Sequence, residues 1–257
     1  MFRLKFFHYP NYRQTVQTET PPAGCKLRSK GNNAFFLFQR RTHGREIVSL
    51  ERVVEVFPII SKINPKDDWG IISEISKDLQ RKYKESSRFW PVKWASDSSL
   101  IEQEWFRTDD LSLWTREAYR FVRKSIKRPE RQEKRHGAEE AYLTGIGDCD
   151  EFTDLLVTLA RMRGIPCRRL TGFFIHWKDA KAEVRAEPHA WAEILSPKAG
   201  WIITDVAMNN IGIHSVNYVI LKIEEFNPAL PDYQVRANFN ALKYQLERPE
   251  PTITQIL

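Results

Sequence analysis

Apolar side chains recur at i, i+3, i+4 and i+7 from Phe152 through Leu155 and Leu156 to Leu159, the spacing of one buried helix face. Gly164 stands where a left-handed C-cap belongs, and Pro166 prevents the helix from continuing. Its first turn falls at Cys149, after the turn Gly145-Ile146-Gly147. A second stripe of Trp114, Ala118, Phe121, Val122 and Ser125 predicts a helix over 113–126, with Ser112 as N-cap. Ile71, Ile72, Ile75, Leu79 and Tyr83 come close to helical spacing over 71–83. Beyond Pro166 the period drops to two. Strands are expected over 168–177, 189–195, 201–206 and 216–223, with a turn at 196–200. Upstream, 33–40 is a short apolar strand and 47–60 carries β-branched runs before Pro58. Residues 1–65 are therefore expected to form a β-rich N-terminal extension. Residues 66–107 read as a helical and aromatic connector, and 224–257 as a polar, proline-containing surface segment.

Composition narrows the class. The 257 residues are 42% apolar and 12% aromatic, which excludes a disordered chain. No apolar run approaches the ~18 residues of a membrane span. The basic, aromatic start at 1–9 lacks a secretory apolar core and a small-residue cleavage site, so a cytoplasmic protein is expected. Cys25, Cys149 and Cys167 form no CxxC pair, which argues for free thiols in a reducing compartment and against a structural zinc. The net charge of +7 permits an acidic partner, although a solvated basic surface is the simpler reading. The densest run, 127–137, precedes the cysteine loop and would favour acidic substrates if it borders a cleft. Aromatics among Lys and Arg at 88–107 invite comparison with base-stacking surfaces, but no RNP-type motif accompanies them, and core packing is the better account.

Candidate chemistry lies in the period-two region. The turn at 196–200 joins strands of matching length, so they should form an antiparallel hairpin. A loop centred near Lys198 sets Leu195 opposite Trp201, Glu193 opposite Ile203 and Trp191 opposite Asp205. His189 and Asp205 then share a face as diagonal neighbours, and a two-residue slip preserves that parity. A carboxylate so placed fixes the imidazole tautomer and leaves the other ring nitrogen for a thiol. The available thiol is Cys149, at a helix start whose positive end favours a thiolate. Nucleophile, base and orienting acid make the arrangement of an activated cysteine.

These residues resemble a known family. Gly147-Asp148-Cys149-Asp150-Glu151-Phe152, Ala160-Arg161-x-x-Gly164-Ile165-Pro166-Cys167-Arg168, Gly172, His189-Ala190-Trp191-x-Glu193 and Gly200-Trp201-x-x-x-Asp205 follow in order, as in the transglutaminase-like superfamily of papain-type cysteine enzymes. The resemblance implies an α+β fold with the cysteine helix packed on an antiparallel sheet, over a catalytic core at 108–223. It implies Cys149 as nucleophile, His189 as general base and acid, and Asp205 as orienting acid, with no cofactor. The activity implied is thiol-dependent amide hydrolysis, by a protease or amidase acting on a protein or peptide, through a thioester. Transfer to an amine, as in transglutaminases, uses the same triad; calcium-site acidic clusters and the extra domains of animal transglutaminases are not found, which favours hydrolysis. A peptide N-glycanase reading lacks the zinc-binding CxxC pairs. Two other classes stay open: a non-enzymatic basic module binding nucleic acid or acidic protein, and, less favoured, a zinc site from Cys149, His189 and Asp205. The Cys149 amide is the natural first oxyanion donor, with Tyr142 or Trp105 as candidates for the second. Cys167 is expected in the core, and His136, His176 and His214 at surface or structural positions.

Overall fold

The computed structural model describes residues 2–8, 12–21, 23–40, 51–57, 64, 66–96, 99–129, 134–176, 185–226 and 233–237. The chain begins with β1 (Phe2–His8), β2 (Gln14–Thr20), β3 (Lys26–Lys30), β4 (Asn33–Arg40) and β5 (Glu51–Val56). Helices follow: α1 (Lys77–Tyr83), α2 (Val92–Ser96), α3 (Leu111–Ser125), α4 (Ala138–Thr144) and α5 (Cys149–Arg163). Then come β6 (Cys167–His176), β7 (Arg185–Ser196), β8 (Gly200–Asp205), β9 (Asn210–Ile211), β10 (Tyr218–Glu224) and β11 (Tyr233–Ala237). The architecture is α+β. Three short 3-10 turns punctuate the stretch before α3. No helix among the described residues is long and apolar enough to cross a membrane.

The central antiparallel sheet has the order β10-β6-β7-β8-β9. Because β7 is covered on both faces, its middle is buried at every position from His189 to Ile194. Ala192 and Ile194, with Ile202 of β8, join the cluster that holds Leu155, Leu156 and Leu159 of α5. Leu170, Trp191, Ile203, Tyr218, Ile220 and Ile223 form a second cluster, against which Tyr12 and Phe174 pack. So α5 lies on one face of the sheet, and His189, two residues from Trp191, belongs to the other.

The N-terminal strands cover the far edge. Gln14 Nε2 donates to the Ile220 carbonyl at 2.6 Å, and the Ile220 N–H donates back to Gln14 Oε1 at 2.8 Å. Asn33 repeats the clamp on Ile223, at 2.6 and 2.8 Å. Two side-chain amides thus occupy backbone groups of β10 that an open sheet edge would leave unpaired.

The structure adds detail to four expectations. Residues 66–107 pack as their aromatics suggest: Trp69, Ile72, Ile75, Trp90, Leu100 and Phe106 enter the same core as α5. Within 71–83 the apolar spacing resolves into a 3-10 turn at Ile72–Glu74 and then α1, capped by Ser76. The 224–257 segment is not all surface. Glu224 is buried at the end of β10, and β11 pairs antiparallel with β1. The rest of that segment, 227–232 and 238–257, lies outside the described residues, as do 41–50 and 58–63 of the upstream β-rich reading. At α3 the N-cap is Asp110 rather than Ser112, accepting from Leu113 N at 2.9 Å while Ser112 Oγ donates to it.

Candidate active site

Cys149 is the first residue of α5, and the turn before it is shaped to put it there. Asp148 is the N-cap, its Oδ1 accepting the Asp150 N–H at 2.9 Å. Glu151 completes a capping box, its Oε2 accepting the Asp148 N–H at 3.1 Å and its Oε1 the His136 N–H at 2.7 Å. Gly147 is required for this packing, because a Cβ there would sit 2.4 Å from Glu151 Cβ. The loop is held from below by Lys127, whose N–H donates to Gly145 O at 2.8 Å and whose carbonyl accepts the Gly147 N–H at 3.1 Å. At the other end Gly164, in the left-handed conformation, closes the helix.

His189 and Asp205 come from the β7–β8 hairpin. Its register sets Leu195 opposite Trp201 and Glu193 opposite Ile203, so the two functional positions share a face. His189 Nε2 lies 2.7 Å from Asp205 Oδ2. An ionised carboxylate only accepts, so Nε2 carries the proton and Nδ1 holds the free lone pair. The pair is buried, at 7% and 1% exposure. Asp205 is further fixed by the Met208 N–H on Oδ1 at 3.0 Å and by the Tyr218 hydroxyl on Oδ2 at 2.9 Å. Burial, then the Asp205 charge, pushes the Tyr218 hydroxyl far above the ordinary phenol range, so it remains a donor. Trp191 stacks on the imidazole with centroids 5.9 Å apart, and Phe174 meets it edge-on at 5.8 Å. Gly172 sits opposite His189 in the ladder, and a Cβ there would fall 1.8 Å from Val219 O. Tyr218 and Phe174 were not singled out from sequence as site residues. Tyr218 carried no signal beyond standing in a strand.

Burial works against the helix end that favours a thiolate. Burial, then Asp150 and Asp148, push the Cys149 thiol up to about 12, against the Ala190 amide that faces the sulfur and the charge of Arg169. These outweigh the helix end, whose effect on one charge is about 0.3–1 kcal/mol. Among the described residues no hydrogen bond joins the thiol to His189, although Ala190 is the next residue along the strand.

The basic pair Arg168-Arg169 is structural. Arg168 binds Glu193 Oε2 at 2.8 Å, and Arg169 binds Glu224 at 2.6 Å and Asp150 beside the cysteine. Burial opposes the Arg169 charge, but Glu224, Asp150 and Asp154 hold it ionised. Arg135, from the run expected to be solvated, instead binds fully buried Asp154 at 2.6 Å, and Trp90 Nε1 donates to the same carboxylate at 2.7 Å. Residues 130–133 of that run lie outside the described residues.

Tyr142 packs on Trp94 and Phe121, and Trp105 on Phe106, Trp114 and Phe121. Cys167 is fully buried, and burial pushes its thiol up to about 12. His176 pairs with Glu187 and His136 with Glu140. His214 is held down to about 3 by burial and by Arg13. Oxygen and sulfur atoms of Asp148, Cys149 and Asp150 lie within 4.8 Å of one another. The two carboxylates already serve the helix cap and Arg169, so a cation there would have to displace them.

Residues 101–206 match the model of the transglutaminase-like superfamily. No curated protein matches the sequence. Among solved structures, a candidate cysteine protease from Cytophaga hutchinsonii aligns over 92% of this chain and 81% of its own, at 13% identity and a TM-score of 0.62. The periplasmic domain of TgpA from Pseudomonas aeruginosa, bound to ethylmercury, aligns over 79% of this chain and 71% of its own, at 14% identity and 0.44. Red sea bream transglutaminase aligns over 80% and 45%, at 12% and 0.30. The cysteine-opened helix on an antiparallel sheet is thus a transglutaminase-like, papain-type fold, and it is residues 101–206 that carry the match to the transglutaminase-like superfamily.

Proposed function

We propose that the protein is a thiol-dependent amide hydrolase acting on proteins or peptides, with Cys149 as nucleophile, His189 as general base and acid, and Asp205 as orienting acid. Family and fold support a thiol-dependent hydrolase or acyltransferase. The observation that carries the finer reading is the 2.7 Å His189–Asp205 bond, with the next residue's amide facing the Cys149 sulfur. In this reading the thiol exchanges the Ala190 amide for His189 Nδ1 when substrate binds. Sulfur attacks the carbonyl carbon as its proton passes to Nδ1, and the Cys149 N–H at the helix start receives the developing oxyanion. The carbon–nitrogen bond then breaks, His189 returns the proton to the leaving amine, and a thioester remains. Water, deprotonated by the same nitrogen, attacks the thioester to release the acid and restore the thiol. Tyr218 acts as a positioning residue, holding Asp205 toward the imidazole.

The test combines labelling with a peptidyl electrophile, site mapping by mass spectrometry, and a peptide library scored for both cleavage and amine incorporation. Wild type is expected to be labelled at Cys149 and to cleave, whereas Cys149→Ala and His189→Ala do neither. Labelling confined to Cys25 would overturn the nucleophile assignment. Amine incorporation without cleavage would replace hydrolysis by acyl transfer.

A further inference from the structure

Resting on that reading, we infer that the substrate is an acidic protein segment, received by a basic stripe running along α3 to the cysteine loop. Arg120, Arg123 and Lys124 fall at i, i+3 and i+4 on one face of α3, and Lys127 and Arg128 follow in the extended segment that leaves the helix. All five are exposed. Arg120 pairs with Glu117, but among the described residues no carboxylate pairs with Arg123, Lys124, Lys127 or Arg128. Like charges at this spacing repel, and an acidic ligand would relieve that repulsion.

The stripe is tied to both halves of the site. Lys127 makes the two backbone bonds to Gly145 and Gly147, two residues before Cys149. Arg123 Nη1 donates to Asn209 Oδ1 at 3.2 Å, in the turn that follows Asp205, and Tyr119 binds the same oxygen at 2.6 Å. A chain laid across Cys149 toward α3 would therefore meet Arg123, Lys124, Lys127 and Arg128, which pair with no carboxylate among the described residues. Asp148 and Asp150, the acids closest to the thiol in sequence, are committed to the helix cap and to Arg169. Complementary charge of this kind raises association rates and weakens with salt.

The test is fluorescence anisotropy with a labelled glutamate-rich peptide, a lysine-rich peptide of equal length and a single-stranded oligonucleotide. Lys124→Glu/Lys127→Glu is compared with Arg28→Glu/Lys30→Glu, which makes the same charge change on exposed β3. The acidic peptide is expected to bind wild type and Cys149→Ala alike, and to weaken as salt rises from about 50 to about 300 mM. The α3 variant should lose about tenfold in affinity, and the β3 variant less than about twofold, since β3 belongs to the separate β11-β1-β4-β3 sheet. Equal losses in both variants, or none, would overturn the proposal, as would tighter binding of the oligonucleotide than of the peptide. If Cys149 labelling fails while the α3-dependent binding persists, the enzyme reading falls and the acidic-segment site stands.

Discussion

A thiol held near 12 is about one part in ten thousand ionised at pH 8, so the proposed mechanism needs His189 to take the Cys149 proton during attack. Because burial and two carboxylates raise the value, the proton stays on as pH rises through neutrality. Alkylation of Cys149 by a small reagent is therefore expected to climb about tenfold per pH unit from about 6 to 10, without a plateau. A rate already flat near pH 6, read by mass spectrometry of the Cys149 peptide, would mean a preformed thiolate–imidazolium pair. Tyr218 gives a second prediction. Removing its hydroxyl deprives Asp205 Oδ2 of one of its two donors, leaving more negative charge to stabilise the His189 imidazolium. The acid limb of the kcat/KM profile should therefore move to higher pH. One hydrogen bond, about 1 kcal/mol, corresponds to about a fivefold loss below the limb in Tyr218→Phe. A loss equal at all pH values would mark Tyr218 as structural only.

At the level of elements, the site depends on close approach of backbones that a single methyl group would disturb. A Cβ at Gly172 would meet Val219 O at 1.8 Å, at the place where the β6–β10 ladder is irregular between Ile220 and Lys222. Gly172→Ala must therefore separate the strands opposite His189, with a loss of about 3 kcal/mol or more in urea unfolding and a parallel loss of Cys149-dependent activity. Unchanged stability would show that β10 yields more readily than its Gln14 and Asn33 clamps suggest. Much of this arrangement was legible in sequence, for identifiable reasons. The α5 face and Gly164 follow from local periodicity and backbone sterics, and the placement of His189 with Asp205 follows from strand parity once the turn at 196–200 is recognised. What escaped was decided by long-range packing. α4 has only seven residues beside a charged run, and its stripe is too short to read. Tyr218 reaches Asp205 because β10 lies beside β6, a choice of topology that no local pattern announces. The helix end that favours a thiolate is local and so legible, whereas the burial of the sulfur that opposes it is not.

Across the whole molecule, the buried charges join parts of the chain that apolar contacts alone would leave free to shift. Arg169 on β6 spans Asp150 on α5 and Glu224 on β10, while Arg135 reaches Asp154 on α5 and also Glu224 at 3.4 Å. The network therefore fixes the cysteine end of α5 against the sheet that carries His189. Its members are 19, 55 and 89 residues apart in sequence, which is why no local pattern announces it. Burial works against the Asp150 charge, yet Arg169 and Arg135 hold its carboxyl below the ordinary range. A depressed pKa contributes stability above the unfolded value near 4, and that contribution is lost as pH falls through the lower folded value. Arg169→Leu reverses the sign. Without the guanidinium, burial opposes the Asp150 charge with Arg135 alone to hold it, and Asp154, which burial already keeps above the ordinary range, is pushed further up, so both destabilise at neutral pH and are relieved by protonation. The variant should lose about 3–5 kcal/mol at pH 7, the usual penalty for orphaning a buried charge, and progressively less toward pH 4.5. Urea titrations at both pH values measure this directly. A deficit that stays constant would mean that lost packing, rather than unpaired charge, accounts for the role of Arg169.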